Sequence, residues 1–161
     1  MTLEQRTKAP LPLLLGFAAF LAVIGYLVAA SLVKPNVAEF SPTPAGVVPA
    51  GGPGPDTVTI DATDEDQWRF YSFKRGVINP PDTTGWDLGF RRYHVIVSGT
   101  VNPSVAHWYT YSFVTHLLKP DGRVFIIETR EGARTKMEFL SYYCPGSQPG
   151  CLTFRWSRIA P

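Results

Sequence analysis

Three histidines, two cysteines and a few clustered charges are the side chains of this sequence whose types could do chemistry. Imidazole nitrogens ligate metal centres singly or in pairs, and the candidates are His94, His107 and His116. Residues 86–97, WDLGFRRYHVIV, read as one strand, in which side chains alternate between faces. His94 is then expected on the core face with Leu88, Phe90 and Ile96, as a buried, hydrogen-bonded residue. His107 and His116 stand nine residues apart. In a straight strand that is roughly 30 Å, so the two hold one metal only around a bend, though either could pair with a histidine elsewhere.

Cys144 and Cys151 flank PGSQPG at the ends of two predicted strands. A disulfide closing a hairpin is the expected reading, with a chain-entropy gain of about 2–3 kcal/mol at most. The alternatives are a redox couple or a metal clip, and there is no CxxC and no second ligand pair nearby. Asp61, Asp64, Glu65 and Asp66 lack the order of an EF-hand loop and read as a solvated turn with capping side chains. No metal site is expected. The sequence contains no G-x-S-x-G, H-E-x-x-H, P-loop or G-x-G-x-x-G, and Ser141 has no identifiable acid–base partner, so no enzyme is expected. Arg91 and Arg92 are adjacent and point to opposite faces of a strand. One pairs with an acid, such as Asp87 beside Arg91, or docks a partner. Aromatics and arginine are enriched at binding hot spots, which makes Phe40, Arg91, Arg92 and Trp108 the candidate partner contacts.

Three kinds of segment must position these groups. Residues 11–33 carry no charge over 23 positions, enough helix to span roughly 34 Å against a hydrocarbon core of about 30 Å. A cleaved signal peptide has a shorter apolar run, so an uncleaved transmembrane helix is expected. Arg6 and Lys8 precede it and Lys34 follows, which favours a cytoplasmic N-terminus for residues 1–10. Residues 34–56 hold six prolines and four glycines and read as an extended linker, which tethers a mobile domain or lies along a partner. Residues 57–161 hold seventeen of the 21 aromatics. Apolar and aromatic runs at 57–61, 68–73, 86–97, 107–114, 123–128, 136–143 and 152–156, separated by glycine and proline turns, predict an antiparallel β-sandwich or barrel. A formal charge of +2 without a block of like charge excludes a nucleic-acid protein driven by net charge.

Residues 57–158 resemble the HmuY family. The resemblance rests on DATDEDQWRFYSF (61–73), WDLGFRRYHV (86–95), GRVFIIETREG, KMEFLSYY (136–143) and LTFRW (152–156). It implies a compact, mostly antiparallel β domain, and its best-known members are lipoproteins that capture haem between two histidines. This chain departs from them: it lacks the lipoprotein cysteine, and its histidines match no ligand motif, so none is carried over. In plan alone, a membrane helix followed by a periplasmic β domain also resembles a small accessory subunit of a bacterial photosynthetic reaction-centre–light-harvesting complex. The first expectation is therefore a non-enzymatic, single-pass subunit of an integral membrane protein complex in the bacterial inner membrane. It would contact the lipid bilayer, with the β domain periplasmic and without a cofactor, nucleic acid or small-molecule substrate of its own. The alternative is a membrane-anchored haem-binding protein using His94, His107 or His116.

Overall fold

The computed structural model describes residues 10–33, 36–47, 55–79 and 82–160. The chain divides into two compact units, Met1–Pro35 and Asn36–Pro161. In the first, helix α1 (Leu11–Leu32) starts with proline in its first turn, where the N–H groups lack helical partners. None of its residues is buried. Its length and composition suffice to cross a membrane.

The second unit is a β-sandwich. One sheet is five-stranded, in the order β1 (Asp56–Asp61), β11 (Gln148–Arg158), β10 (Arg134–Cys144), β9 (Val124–Glu128), β6 (Thr100–Asn102). The other is four-stranded, β3 (Gly76–Ile78), β2 (Arg69–Ser72), β4 (Leu88–Arg91), β5 (His94–Val97). A separate ribbon pairs β7 (Tyr109–Tyr111) with β8 (Leu118–Pro120). All ladders within the sheets are antiparallel. Period-two patterning does the sorting: β9 reads exposed, buried, half-buried, buried, exposed. Aromatic rings lock the sheets together. Phe90 stacks on Phe154 at 5.6 Å, Tyr71 meets Phe154 edge-on at 5.3 Å, and Phe73 meets Trp156 at 4.8 Å. Such pairs add to the stabilisation from area burial alone.

Strand 86–97 does not form as read from the sequence. It is a hairpin, β4 and β5, reversed at Arg92–Tyr93 with Arg91 opposite His94. Strand 107–114 is likewise a 3-10 turn (Val105–His107), the short β7 and the start of a second reversal. Strands β3, β6 and β8, each three residues long, are too short to carry a periodic signal.

Part of the linker is also not a free tether. Within residues 36–47 the chain lies on its own β domain. Phe40 N–H donates to the Tyr143 carbonyl at 3.0 Å, and Thr43 N–H to that of Thr59 at 2.9 Å. The Ser141 hydroxyl donates to the Ala38 carbonyl. Prolines hold this stretch extended in advance, so docking it costs little backbone entropy. It also explains why β10 is buried on alternate residues up to Phe139 but continuously from Ser141 to Cys144. Residues 34, 35 and 48–54 of the linker, and 1–9 before the helix, lie outside the described residues.

The Cys144–Cys151 disulfide is formed, with the Cα atoms 4.9 Å apart at the closed end of the β10–β11 hairpin. Gly150, next to it, has φ +122°, and a Cβ there would stand 2.8 Å from Thr63 Cα. Only glycine fits, because the loop before β2 packs directly on this backbone.

Candidate functional site

The β4–β5 reversal decides where the site is. Arg92 sits in the left-handed region with φ 52°, which costs an ordinary side chain of order 1 kcal/mol. Its surroundings offset that cost. Arg92 N–H donates to the Ala62 carbonyl at 3.0 Å, and its guanidinium donates to the carbonyls of Thr63 at 3.1 Å and Pro149 at 3.4 Å. Glu65 lies 4.0 Å away. The tight turn puts His94 on the face opposite the one a continuous strand would give it. His94 is exposed and Val95 is buried, so the expected buried histidine is corrected to one that faces solvent.

His94 lines an open groove of about 380 Å³ with Trp68, Arg91, Tyr93, Ile96, His107 and Tyr109. His107 arrives from the 3-10 turn, where the Ser104 hydroxyl accepts from the Ala106 N–H at 3.3 Å. The His107 carbonyl accepts from the Arg123 guanidinium, which is also paired with Asp121. Burial raises the Asp121 pKa, but hydrogen bonds from Arg123 outweigh it and hold the carboxyl below its usual range. Trp108 anchors the same turn. Its indole N–H donates to the Tyr93 carbonyl at 2.9 Å, and its ring packs 4.6 Å from Phe139. The floor and walls are aromatic: Tyr93 lies 4.3 Å from the His94 ring and 5.8 Å from Tyr109. Burial, with Tyr93 next, raises the Tyr109 hydroxyl. Arg91 lies over the Trp68 ring at 4.8 Å, so one cation is held at the rim by an aromatic face.

The structure thus brings His94 and His107 to one groove, and Arg91 with them. His116 is elsewhere. It has φ 54°, and its Nδ1 is 2.6 Å from the Tyr111 hydroxyl at the β7–β8 reversal. Three other residues singled out from the sequence are engaged in contacts within the β domain. Trp108 is 1% exposed, a core residue with no ring surface for a partner. Arg92 holds the molecule's own loops. Phe40 is half-buried against its own domain. Asp87 does not pair with Arg91. Its carboxylate accepts from Phe73 N–H at 2.8 Å. The sequence reading missed Tyr93, Tyr109 and Trp68 as lining residues, and their only signal was aromatic density near the histidines.

In chemical terms the groove offers imidazole nitrogens for a soft or borderline metal centre, aromatic faces for a flat ring system, and a guanidinium for a carboxylate. The described residues contain no cluster of three or more metal-ligating side chains.

This sandwich belongs to the HmuY type of β fold, and solved structures share it. A Bacteroides vulgatus protein described as HmuY-like and heme binding matches with a TM-score of 0.53 and 16% identity, over 63% of this chain and 90% of its own. A Bacteroides fragilis protein described as a lipoprotein matches at 0.54 and 16%, over 66% and 92%. The apo form of the HmuY analog of Tannerella forsythia matches at 0.55 and 10%, over 66% and 96%. At these identities the likeness is one of fold. None of the three supports the resemblance to a photosynthetic subunit. No family model matches the sequence, and no curated protein matches it.

Proposed function

We propose that this chain is a membrane-anchored, non-enzymatic binding protein of HmuY type that takes haem in the groove between His94 and His107. One observation carries the reading: two histidines from different elements line the same open, aromatic groove. Arg91 at the rim suits a propionate, and Tyr93 and Tyr109 suit the face of the macrocycle. The solved relative described as heme binding adds support at the level of fold. Helix α1 would serve as a single-pass anchor in a bacterial inner membrane, with Arg6 and Lys8 on the cytoplasmic side and the β domain outside.

The test is a spectroscopic titration of the detergent-solubilised full chain with haem. A Soret band that saturates at one equivalent is expected, weakened at least tenfold in affinity by either His94→Ala or His107→Ala. Equal binding by the double variant would overturn the proposal.

A second reading, a subunit of an integral membrane complex such as a reaction-centre–light-harvesting assembly, draws on α1. Its apolar side chains are exposed on every side, a surface able to pack on other membrane helices. Mild-detergent extraction of native membranes separates the two. Migration with a large pigmented complex favours the subunit, and migration at the chain's own size with a Soret band favours the haem protein.

A further inference from the structure

We infer that the tip of the β7–β8 hairpin is a second membrane contact, which inserts Phe113 and Val114 into the lipid headgroup region. The inference rests on the reading of α1 as a membrane anchor. Phe113 is 84% exposed and Val114 90%. No other described large apolar side chain of the β domain exceeds 51%. Scattered apolar residues on a surface need no explanation, but two neighbours this exposed at one tip do.

The tip is built rather than frayed. Ser112 N–H donates to the Leu117 carbonyl at 2.9 Å, and Thr115 N–H to the Ser112 hydroxyl at 3.3 Å. The Tyr111 hydroxyl meets His116, and the Tyr111 ring meets Phe113 edge-on at 5.2 Å. These contacts fix a turn that holds its apolar side chains outward.

Chain length and position supply the occupant. Helix α1 ends at Leu32 and the β unit begins at Asn36. Four residues reach about 14 Å at most, so the tether from an anchoring α1 to Asn36 is short. A groove of about 370 Å³ is lined by Asn36, Val37 and Ala38 together with Leu118, Lys119 and Pro120 of β8. The hairpin therefore stands beside the point where the chain joins the domain. Leu118 N–H donates to the Tyr143 hydroxyl at 2.9 Å, which ties β8 to β10, against which residues 38–40 lie. Residues 109–120 contain no acid and one lysine, and tyrosine is favoured at the membrane–water boundary. A hairpin of this composition enters anionic headgroups without charge repulsion.

The experiment uses the full chain in nanodiscs of mixed phosphatidylcholine and phosphatidylglycerol. Single cysteines are introduced as Val114→Cys, Glu131→Cys and Ala22→Cys, each labelled with an environment-sensitive dye, while the native cysteines remain in their disulfide. Lipids carrying a nitroxide in the headgroup region quench the dye at 114 several-fold more than the dye at 131, and Phe113→Asp in the Val114→Cys background abolishes the difference. Equal quenching at 114 and 131, with the dye at 22 quenched by nitroxides near the bilayer centre, overturns the hairpin contact and leaves the anchor standing. A dye at 22 that no lipid nitroxide quenches removes the anchor and the inference with it. A dye at 114 unquenched in pure lipid but shielded from aqueous quenchers in native membranes would show a protein there instead of lipid, and would also overturn it.

Discussion

Two hairpins of this domain are closed by different means. β10 and β11 run for eleven residues each, carry core residues on their inner face and end in a disulfide. β4 and β5 are four residues each and reverse at a left-handed arginine. Both hairpins bury apolar residues, but the first is closed by a covalent link, and the reversal of the second is held by polar contacts of one guanidinium and one backbone N–H. That difference divides the labour. The long hairpin carries the covalent closure, while the turn of the short one, apart from the core residues Leu88, Phe90 and Val95, aims His94 at the groove. A similar polar clasp, Arg123 on the His107 carbonyl, aims the second histidine.

The comparison breaks if the long hairpin proves dispensable. Phe154 is fully buried and touches rings of both sheets, so Phe154→Ala is expected to cost about 3–5 kcal/mol in denaturant unfolding. Replacing both Cys144 and Cys151 by serine should cost about 2–3 kcal/mol and leave the native spectrum intact, as a short closed loop predicts.

Alkali sharpens it further. Burial pushes the Tyr142 hydroxyl up to about 12 and raises that of Tyr71, which faces Trp156 in the core. The folded state then keeps protons that the unfolded state loses above pH 10.0, the ordinary tyrosine value. This contribution is complete below that pH and is lost as pH rises towards about 12. Stability should fall over that window, and a Tyr142→Phe variant should fall less steeply.

The short hairpin gives the smallest stability effect and the most specific one. Arg92→Ala removes two side-chain hydrogen bonds and should cost about 1 kcal/mol. Haem affinity should drop several-fold more than that of His116→Ala, which should leave affinity unchanged. Equal affinities for the two variants would mean that the Arg92 turn does not position His94.

Most of the scaffold was legible in the sequence. The apolar run at 11–33 appears as α1, and the runs at 57–61, 68–73, 123–128, 136–143 and 152–156 appear as β1, β2, β9, β10 and β11, because each is an apolar or aromatic run set off by proline, glycine or acidic residues. The cysteine pair was legible for the same local reason, since its spacing fits one hairpin. The candidate groove was not. The reversal at Arg92–Tyr93 contains no glycine, proline or asparagine, the usual marks of a turn, so 86–97 looked like one strand and His94 looked buried.

What the sequence determined by itself was therefore everything set by neighbours along the chain: a membrane-length helix, amphipathic strands, and a β class for the outer domain. The tertiary structure decided the rest. Carbonyls of Ala62, Thr63 and Pro149, distant in sequence, hold Arg92 in a conformation it would not choose alone. Residues 36–47 docked on their own domain because β1 and β10 offered them partners. Trp108 went inward because Phe139 and Tyr142 were there to receive it. Each of these outcomes depends on groups brought together only by folding, and no local pattern encodes them.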